Sequence, residues 1–412
     1  MSTRTRRENG RRRHRPALAR TLGTAAVSFG AVAGVVVGVG TVSAAPTLPT
    51  FSLARKFTVN VNAPGDIFYT SGANVAVPLP IPGLGQGSDQ GLLIVDKTGK
   101  VLWHRPAPVG AGFANFRTQM YQGKKVLTWW QGSGVDGHGT GVDYIADQNY
   151  HVITTLTAGD GLQSDAHEFR LTPGGEALIT AYRQINADLS SVGGPVNGSM
   201  MDSVASVVDV ATGRVLMQWS AKAHVPLTDS SMKPRGGLNS IGGQATYDPY
   251  HINSISLDPD GDLLISMRNV NALYDVNIHT GAVKWILGGK HSTFTVGPGA
   301  SILGQHDAEF ADATTVRVFD NNVDGSIPQG TSAIKWIRLD PATHSASLVR
   351  AQEHPNRLVT FATGNAQALS DGYTFGSWGT AGHISEFSPT GQLVYDASIP
   401  SGTYRAYLDT WP

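Results

Sequence analysis

HINSISLDPDGDLLISMR, residues 251–268, reads as a strand, a tight turn and a returning strand, because Pro259-Asp260-Gly261 joins a fixed φ to a permissive one between two apolar runs. The same unit recurs as HEFRLTPGGEALITAYR, residues 167–183, around Pro173-Gly174-Gly175. A looser third copy, HDAEFADATTVRVFDNN, residues 306–322, has Ala311-Asp312-Ala313 in the turn place. Each copy opens on a histidine. His167, His251 and His306 therefore stand at matching points of one repeated module, and a shared histidine site is the first functional expectation.

A second phrase alternates with the first: an apolar strand, a turn centred on Asp or Asn with Gly, and a strand often ending in Trp. Its copies are LLIVDKTGKVLWH from Leu92, YIADQNYHVITTL from Tyr144, SVVDVATGRVLMQW from Ser206, LYDVNIHTGAVKWIL from Leu273, IKWIRLDPATHSASLV from Ile334 and ISEFSPTGQLVYDAS from Ile384. Hairpins of the first kind also begin at Phe116 and Arg357. Six outer hairpins against five inner ones leave one four-stranded blade incomplete, and GDIFYTS from Gly65 with TYRAYLDTW from Thr403 can complete it. The expectation is an all-β, six-bladed β-propeller closed by pairing of its N- and C-terminal strands, which removes free sheet edges.

The chain has 412 residues, 49 Gly, 22 Pro and no Cys. Thiol catalysis, disulfides and thiolate metal sites are thereby excluded. Residues 1–44 form an arginine-rich start, an apolar stretch and Val42-Ser43-Ala44, the pattern of an export signal or, if uncleaved, an N-terminal membrane anchor. A single propeller is expected over residues 45–412, on the extracellular side. The leader holds eight of the 31 basic residues and one of the 31 acidic ones, so the remainder is net acidic and no nucleic-acid surface is expected.

Equivalent inner strands start at the same end of a propeller channel, so the three histidines should ring one mouth of it. The His251 hairpin has two possible registers. If Pro259 and Asp260 alone make the loop, His251 falls opposite Arg268 and the pair forms an anion cradle; if Gly261 joins in αL conformation, the pairing slips by one and Arg268 turns outward. His138, His224, His344, His354 and His383 read as hydrogen-bonded structural residues, and Arg183 as a surface cap. No metal or cofactor is expected, since Glu168 and Asp307 adjoin two histidines but alternate to the other face, and Arg268 would repel a dication. The acidic runs at Asp258 and Phe319 have a sufficient explanation as turns, and QGSGVDGHGTG from Gln131 reads as a Gly-rich loop.

YHINSISL from Tyr250, LLISMRNVNALYDV from Leu263, GAVKWILGG from Gly281, GQHDAEF from Gly304 and VFDNN from Val318 occur in an order that resembles the arylsulfotransferase family, the nucleotide-independent aryl-sulfate sulfotransferases. The resemblance implies a propeller that moves a sulfuryl group from a phenolic sulfate donor to a phenol acceptor. It implies that His306 is the nucleophile, forming a sulfohistidine, and that His167, His251, Arg268 and Asn253 bind the substrate, with His167, His251 and Arg268 also serving the chemistry. Three departures stand out: the sequence leaves no room before the first outer hairpin for the family's N-terminal β-sandwich, it lacks the family's cysteines, and Asp307-Ala308-Glu309 makes the segment after the expected nucleophile acidic. The alternative reading is a catalytically silent extracellular propeller that binds an anionic or aromatic ligand.

Overall fold

The structure, a computed structural model, describes residues 52–56, 63–71, 91–135, 137–234, 246–399 and 401–411. The expected export segment, residues 1–44, lies outside the described residues. Six antiparallel blades form a ring. In chain order they are built from Asp66–Ser71, Gly91–Val95 and Val101–Pro106; from Gly112–Tyr121, Lys124–Val135, His138–Ala146 and Val152–Leu156; from Phe169–Leu171, Glu176–Ala187, Gly198–Asp209 and Val215–Ser220; from Ile252–Leu257, Leu263–Met267, Ala272–Val276 and Val283–Gly288; from His306–Phe310, Thr315–Asp320, Ala333–Asp340 and Ser345–Glu353; and from Asn365–Ala368, Thr374–Ser377, His383–Phe387 and Leu393–Ser398. The first blade takes its innermost strand from the other end of the chain. Ala406–Asp409 pairs with Asp66–Ser71, Ile67 facing Leu408 and Phe68 facing Tyr407. Ser52–Lys56 adds a fifth strand to the last blade through Leu393–Ser398.

The repeated outer turn has a chemical cause. Asp96 and Asp147 each accept, at 2.8 Å, the backbone N–H two residues on; Asp209 and Asn277 accept the one three residues on, and Asp340 does the first again. A short side-chain acceptor closes the turn before any tertiary contact forms. In the loosest inner hairpin Asp312 performs this task for Thr314 and Thr315, replacing the Pro-Gly turns of the other two.

The tryptophans that end outer strands seal neighbouring blades. Trp103 stacks on Tyr150 of the next blade's outer turn at 4.7 Å, and Trp219 donates its Nε1–H to the Gly281 carbonyl across the seam. Around Trp219, Leu178, Tyr250, Ile265 and Tyr274 form one continuous buried cluster between the third and fourth blades. Burial of this kind is what holds a ring of otherwise separate sheets together.

Towards the ring centre the contacts turn ionic. Glu168 accepts from Arg117 at 2.8 Å and Arg405 at 3.0 Å; Glu309 accepts from Arg170 and, at 2.8 Å, from Arg317. These side chains come from the innermost or adjoining strands and segments of four blades.

Candidate active site

His306 opens its inner strand, His251 directly precedes Ile252–Leu257, and His167 lies two residues ahead of Phe169–Leu171. The ring topology brings these three strand starts together. The rings of His167 and His251 meet edge to face at 4.7 Å, and His306 feels the charges of Arg268, His167 and His251. His306 and His167 are buried, while His251 keeps a small exposed fraction. Arg268 joins them from the end of the fourth blade's second strand. Its guanidinium donates to Asn269 Oδ1 at 2.8 Å and to the carbonyls of Gly325 and Phe361 at 3.1 and 3.3 Å.

Neither simple register of the His251 hairpin holds along its whole length. Near the turn Gly261 sits at φ 87°, Leu257 faces Leu263 and Ser254 faces Ser266, the slipped alternative. A bulge at Asn253 then shifts the pairing back, so that Ile252 faces Met267 and the His251 carbonyl accepts the Arg268 N–H at 2.9 Å. His251 itself adopts φ 58°. Bulges re-aim side chains in this way beside active sites. Arg268 begins a short 3-10 turn, Arg268–Val270, which releases it from the pleat that would have faced it outward.

The hydrogen bonds assign a tautomer to each imidazole. His306 Nδ1 donates to Asn321 Oδ1 at 2.7 Å and lies 3.1 Å from the Gly304 carbonyl, while Nε2 accepts the Thr363 N–H at 3.2 Å. Burial pushes its pKa well down and the Arg268 charge pushes it further, so the ring is neutral. His251 donates its Nδ1–H to Asp248 Oδ2 at 2.5 Å; burial lowers its pKa to about 4, with Asp248 working the other way. His167 donates its Nδ1–H to Asp165 Oδ2. Burial would raise both carboxylates, but their histidine partners hold each below the usual range. A neutral Nδ1–H imidazole leaves Nε2 as its basic and nucleophilic atom.

His138 belongs to the same cluster, which the sequence reading did not foresee. Its Nε2–H donates to Asp248 Oδ2 at 3.1 Å, and its ring lies 5.4 Å from that of His251 and 4.5 Å from that of Tyr182. His138 is carried by the Gly-rich stretch after Gln131, expected as a loop. It is instead paired strand, Gln131 facing Val142 and Gly134 facing Gly139. Its glycines make room for Trp130: a Cβ at Gly132, Gly139 or Gly141 would fall within 2.7 Å of that indole. The spacing of Gly132, Gly139 and Gly141 after Trp130 was the readable signal. Tyr182, whose hydroxyl donates to the Ile252 carbonyl at 2.6 Å, and Tyr404, 5.7 Å from the His167 ring, complete the walls.

Asn253 is fully buried, and its Nδ2–H donates to the Gln305 carbonyl at 2.6 Å, a latch between the fourth and fifth blades. The acidic residues flanking the histidines are taken up by arginine: Glu168 and Glu309 as above, Asp307 at 3.7 Å from Arg405. Arg183, half-exposed, pairs with the fully buried Asp202. His354 and His383 share Asp396, and His224 stacks on Trp219. Among the described residues three groups have donor atoms close enough for a cation: His138 with Asp248 and His251, His354 with His383 and Asp396, and Asp258 with Asp262 and Asp275. In the first, both imidazoles already donate to one carboxylate oxygen. In the last, the Lys284 ammonium supplies the positive charge, 3.0 Å from Asp258 and from Asp262.

A family model described as Arylsulfotransferase (ASST) matches residues 117–399. The chain belongs to the arylsulfotransferase family. The matched span contains His167, His251, Arg268 and His306 together with Asp165, Asp248 and Asn321. A comparison with curated proteins finds no match. Solved structures similar to the chain include a Bacteroides caccae protein of unknown function (13% identity, 84% of this chain and 98% of the other, TM-score 0.46). They also include the periplasmic gluconolactonase of Pseudomonas aeruginosa (12%, 84% and 99%, TM-score 0.45) and an inactive virginiamycin B lyase of Staphylococcus aureus (10%, 87% and 100%, TM-score 0.41). Likenesses this distant say nothing about the chemistry of the arylsulfotransferase site.

Proposed function

We propose that this arylsulfotransferase is an exported aryl-sulfate sulfotransferase that moves a sulfuryl group from a phenolic sulfate ester to a phenol through a sulfohistidine at His306. The observation that carries the reading is the neutral His306 imidazole, with Nδ1–H held by Asn321 and the lone pair on Nε2, buried beside a guanidinium and two carboxylate-backed histidines. Nε2 gives up the Thr363 N–H and attacks sulfur, the S–O bond to the donor breaks, and the phenolate leaves. A phenol oxygen then attacks the same sulfur and the N–S bond breaks, returning its electron pair to Nε2. The phenol proton passes to His251 or His167, whose carboxylate holds the imidazolium, and later neutralises the next departing phenolate. Arg268 balances the charge gathered on the sulfate oxygens. Export follows the Arg-rich, apolar start of the sequence.

The test is turnover of a chromogenic phenyl sulfate with and without added phenol. Acceptor-dependent, ping-pong turnover that disappears in His306→Ala is expected. An intact protein with no acceptor-dependent turnover would refute the enzymatic reading, and ligand binding that survives the substitution without turnover would favour a silent binding propeller.

A further inference from the structure

Asn321 is fully buried directly after the Thr315–Asp320 strand, and its amide is oriented without ambiguity. Nδ2 donates to the Thr360 carbonyl at 2.9 Å and to the Thr363 carbonyl at 3.0 Å. With both amide hydrogens so engaged, the atom 2.7 Å from His306 Nδ1 is an oxygen, which can only accept. Two further contacts agree: the Gly304 carbonyl on Nδ1, and the Thr363 N–H on Nε2. The other two histidines of the set are treated differently, since their Nδ1 atoms face the carboxylates of Asp165 and Asp248. Within one site, then, two imidazoles have a charged acceptor behind them and the third has a neutral one.

We propose that Asn321 is a positioning residue that presents His306 through Nε2 and, being uncharged, keeps the sulfuryl group received there transferable. The inference rests on the sulfohistidine reading above. When Nε2 bonds to sulfur and the donor S–O bond breaks, the ring keeps its Nδ1–H and becomes an imidazolium bearing a sulfonate. Transfer to the acceptor oxygen breaks the N–S bond, and the neutral ring is the leaving group. A carboxylate behind Nδ1 would stabilise the cationic ring through a charge-assisted hydrogen bond about twice as strong as a neutral one. The intermediate would form readily and discharge slowly. The amide leaves it closer in energy to the two aryl sulfates that it connects, and the nearby Arg268 charge acts in the same direction.

The experiment separates the two half-reactions by rapid mixing with a chromogenic phenyl sulfate. Formation is read as the phenolate burst without acceptor, and discharge as loss of the sulfoenzyme mass when phenol is added. In Asn321→Asp, formation is expected to be at least as fast as in the native protein and discharge slower by on the order of tenfold. Equal slowing of both steps, or unchanged discharge, would overturn the proposal. Because a carboxylate at this position faces two carbonyls and can disturb folding, a second measurement uses the native sequence: nuclear magnetic resonance of isotope-labelled histidine, with the His306 signals identified by their loss in His306→Gln. A proton on Nδ1 and none on Nε2 is expected, and the reverse overturns the inference. Absence of any burst in the native protein refutes the proposed function itself, whereas a burst with equal slowing refutes only the role of Asn321.

Discussion

His251 donates its Nδ1–H to Asp248 in a hydrogen bond, and burial, outweighing that carboxylate, brings its pKa from 6.5 to about 4. The sign of the resulting pH dependence follows. Between these two values the unfolded chain binds the proton and the folded one does not, so acidification from pH 6.5 towards 4 favours unfolding. Denaturant titrations across that range should show stability falling, while the His306 ring, whose pKa burial pushes well down, stays neutral. In Asp248→Asn the one interaction that raises His251 is weakened, so its titration moves to still lower pH. Acceptor-dependent turnover should fall on the order of 100-fold in that variant, because the imidazolium loses its carboxylate. A pH-rate profile of native and variant proteins checks both statements; an unchanged acid limb would contradict the assignment. The place of His306 among the clustered histidines was legible from its position in the repeated module. Its tautomer was not, because Asn321, Gly304 and Thr363 reach it from three different parts of the chain.

At the scale of single elements, the hairpins show how much short-range chemistry decides. Pro-Gly turns and Asx acceptors recur where the text of the sequence repeats, and the hairpins read from it are found, the one expected from Arg357 beginning only at Asn365. What local chemistry does not reveal is where a strand bulges. Asn253 shifts the His251 hairpin by one residue, and the reason is tertiary: its side chain is drawn to the Gln305 carbonyl of the next blade. The Gly-rich hairpin from Gln131 is the opposite case, where a composition typical of loops serves a strand that must accept an indole. Gly139→Ala would put a Cβ 2.6 Å from the Ala166 nitrogen and 2.7 Å from the Trp130 ring. A loss of about 1–3 kcal/mol is expected, with turnover reduced as His138 is displaced. Thermal unfolding together with assay of the variant decides it; full stability would mean that the glycines are not needed for packing.

For the whole molecule, closure and the ionic ring around the centre are the decisive features. Glu168 is fully buried between Arg117 and Arg405, one from the second blade and one beside the strand that closes the first. Removing its charge in Glu168→Gln leaves Arg117 without its carboxylate and Arg405 with only Asp307 at 3.7 Å, and a loss of about 3–5 kcal/mol is expected in equilibrium denaturation. A change below 1 kcal/mol would show that the remaining carboxylates suffice. Blade number, the alternation of hairpins and the pairing of Asp66–Ser71 with Ala406–Asp409 were determined by the sequence itself, because turn residues and apolar alternation act over a few neighbours and repeat once per blade. Which side chains share the histidine cluster was decided only by the tertiary structure. Asp165 and Asp248 carry no local mark that separates them from ordinary turn residues, and the glycines around His138 and the VFDNN run holding Asn321 do not say what those side chains meet. They become acceptors, wall and support only when the ring closes and places strand starts from different blades within hydrogen-bonding distance of one another.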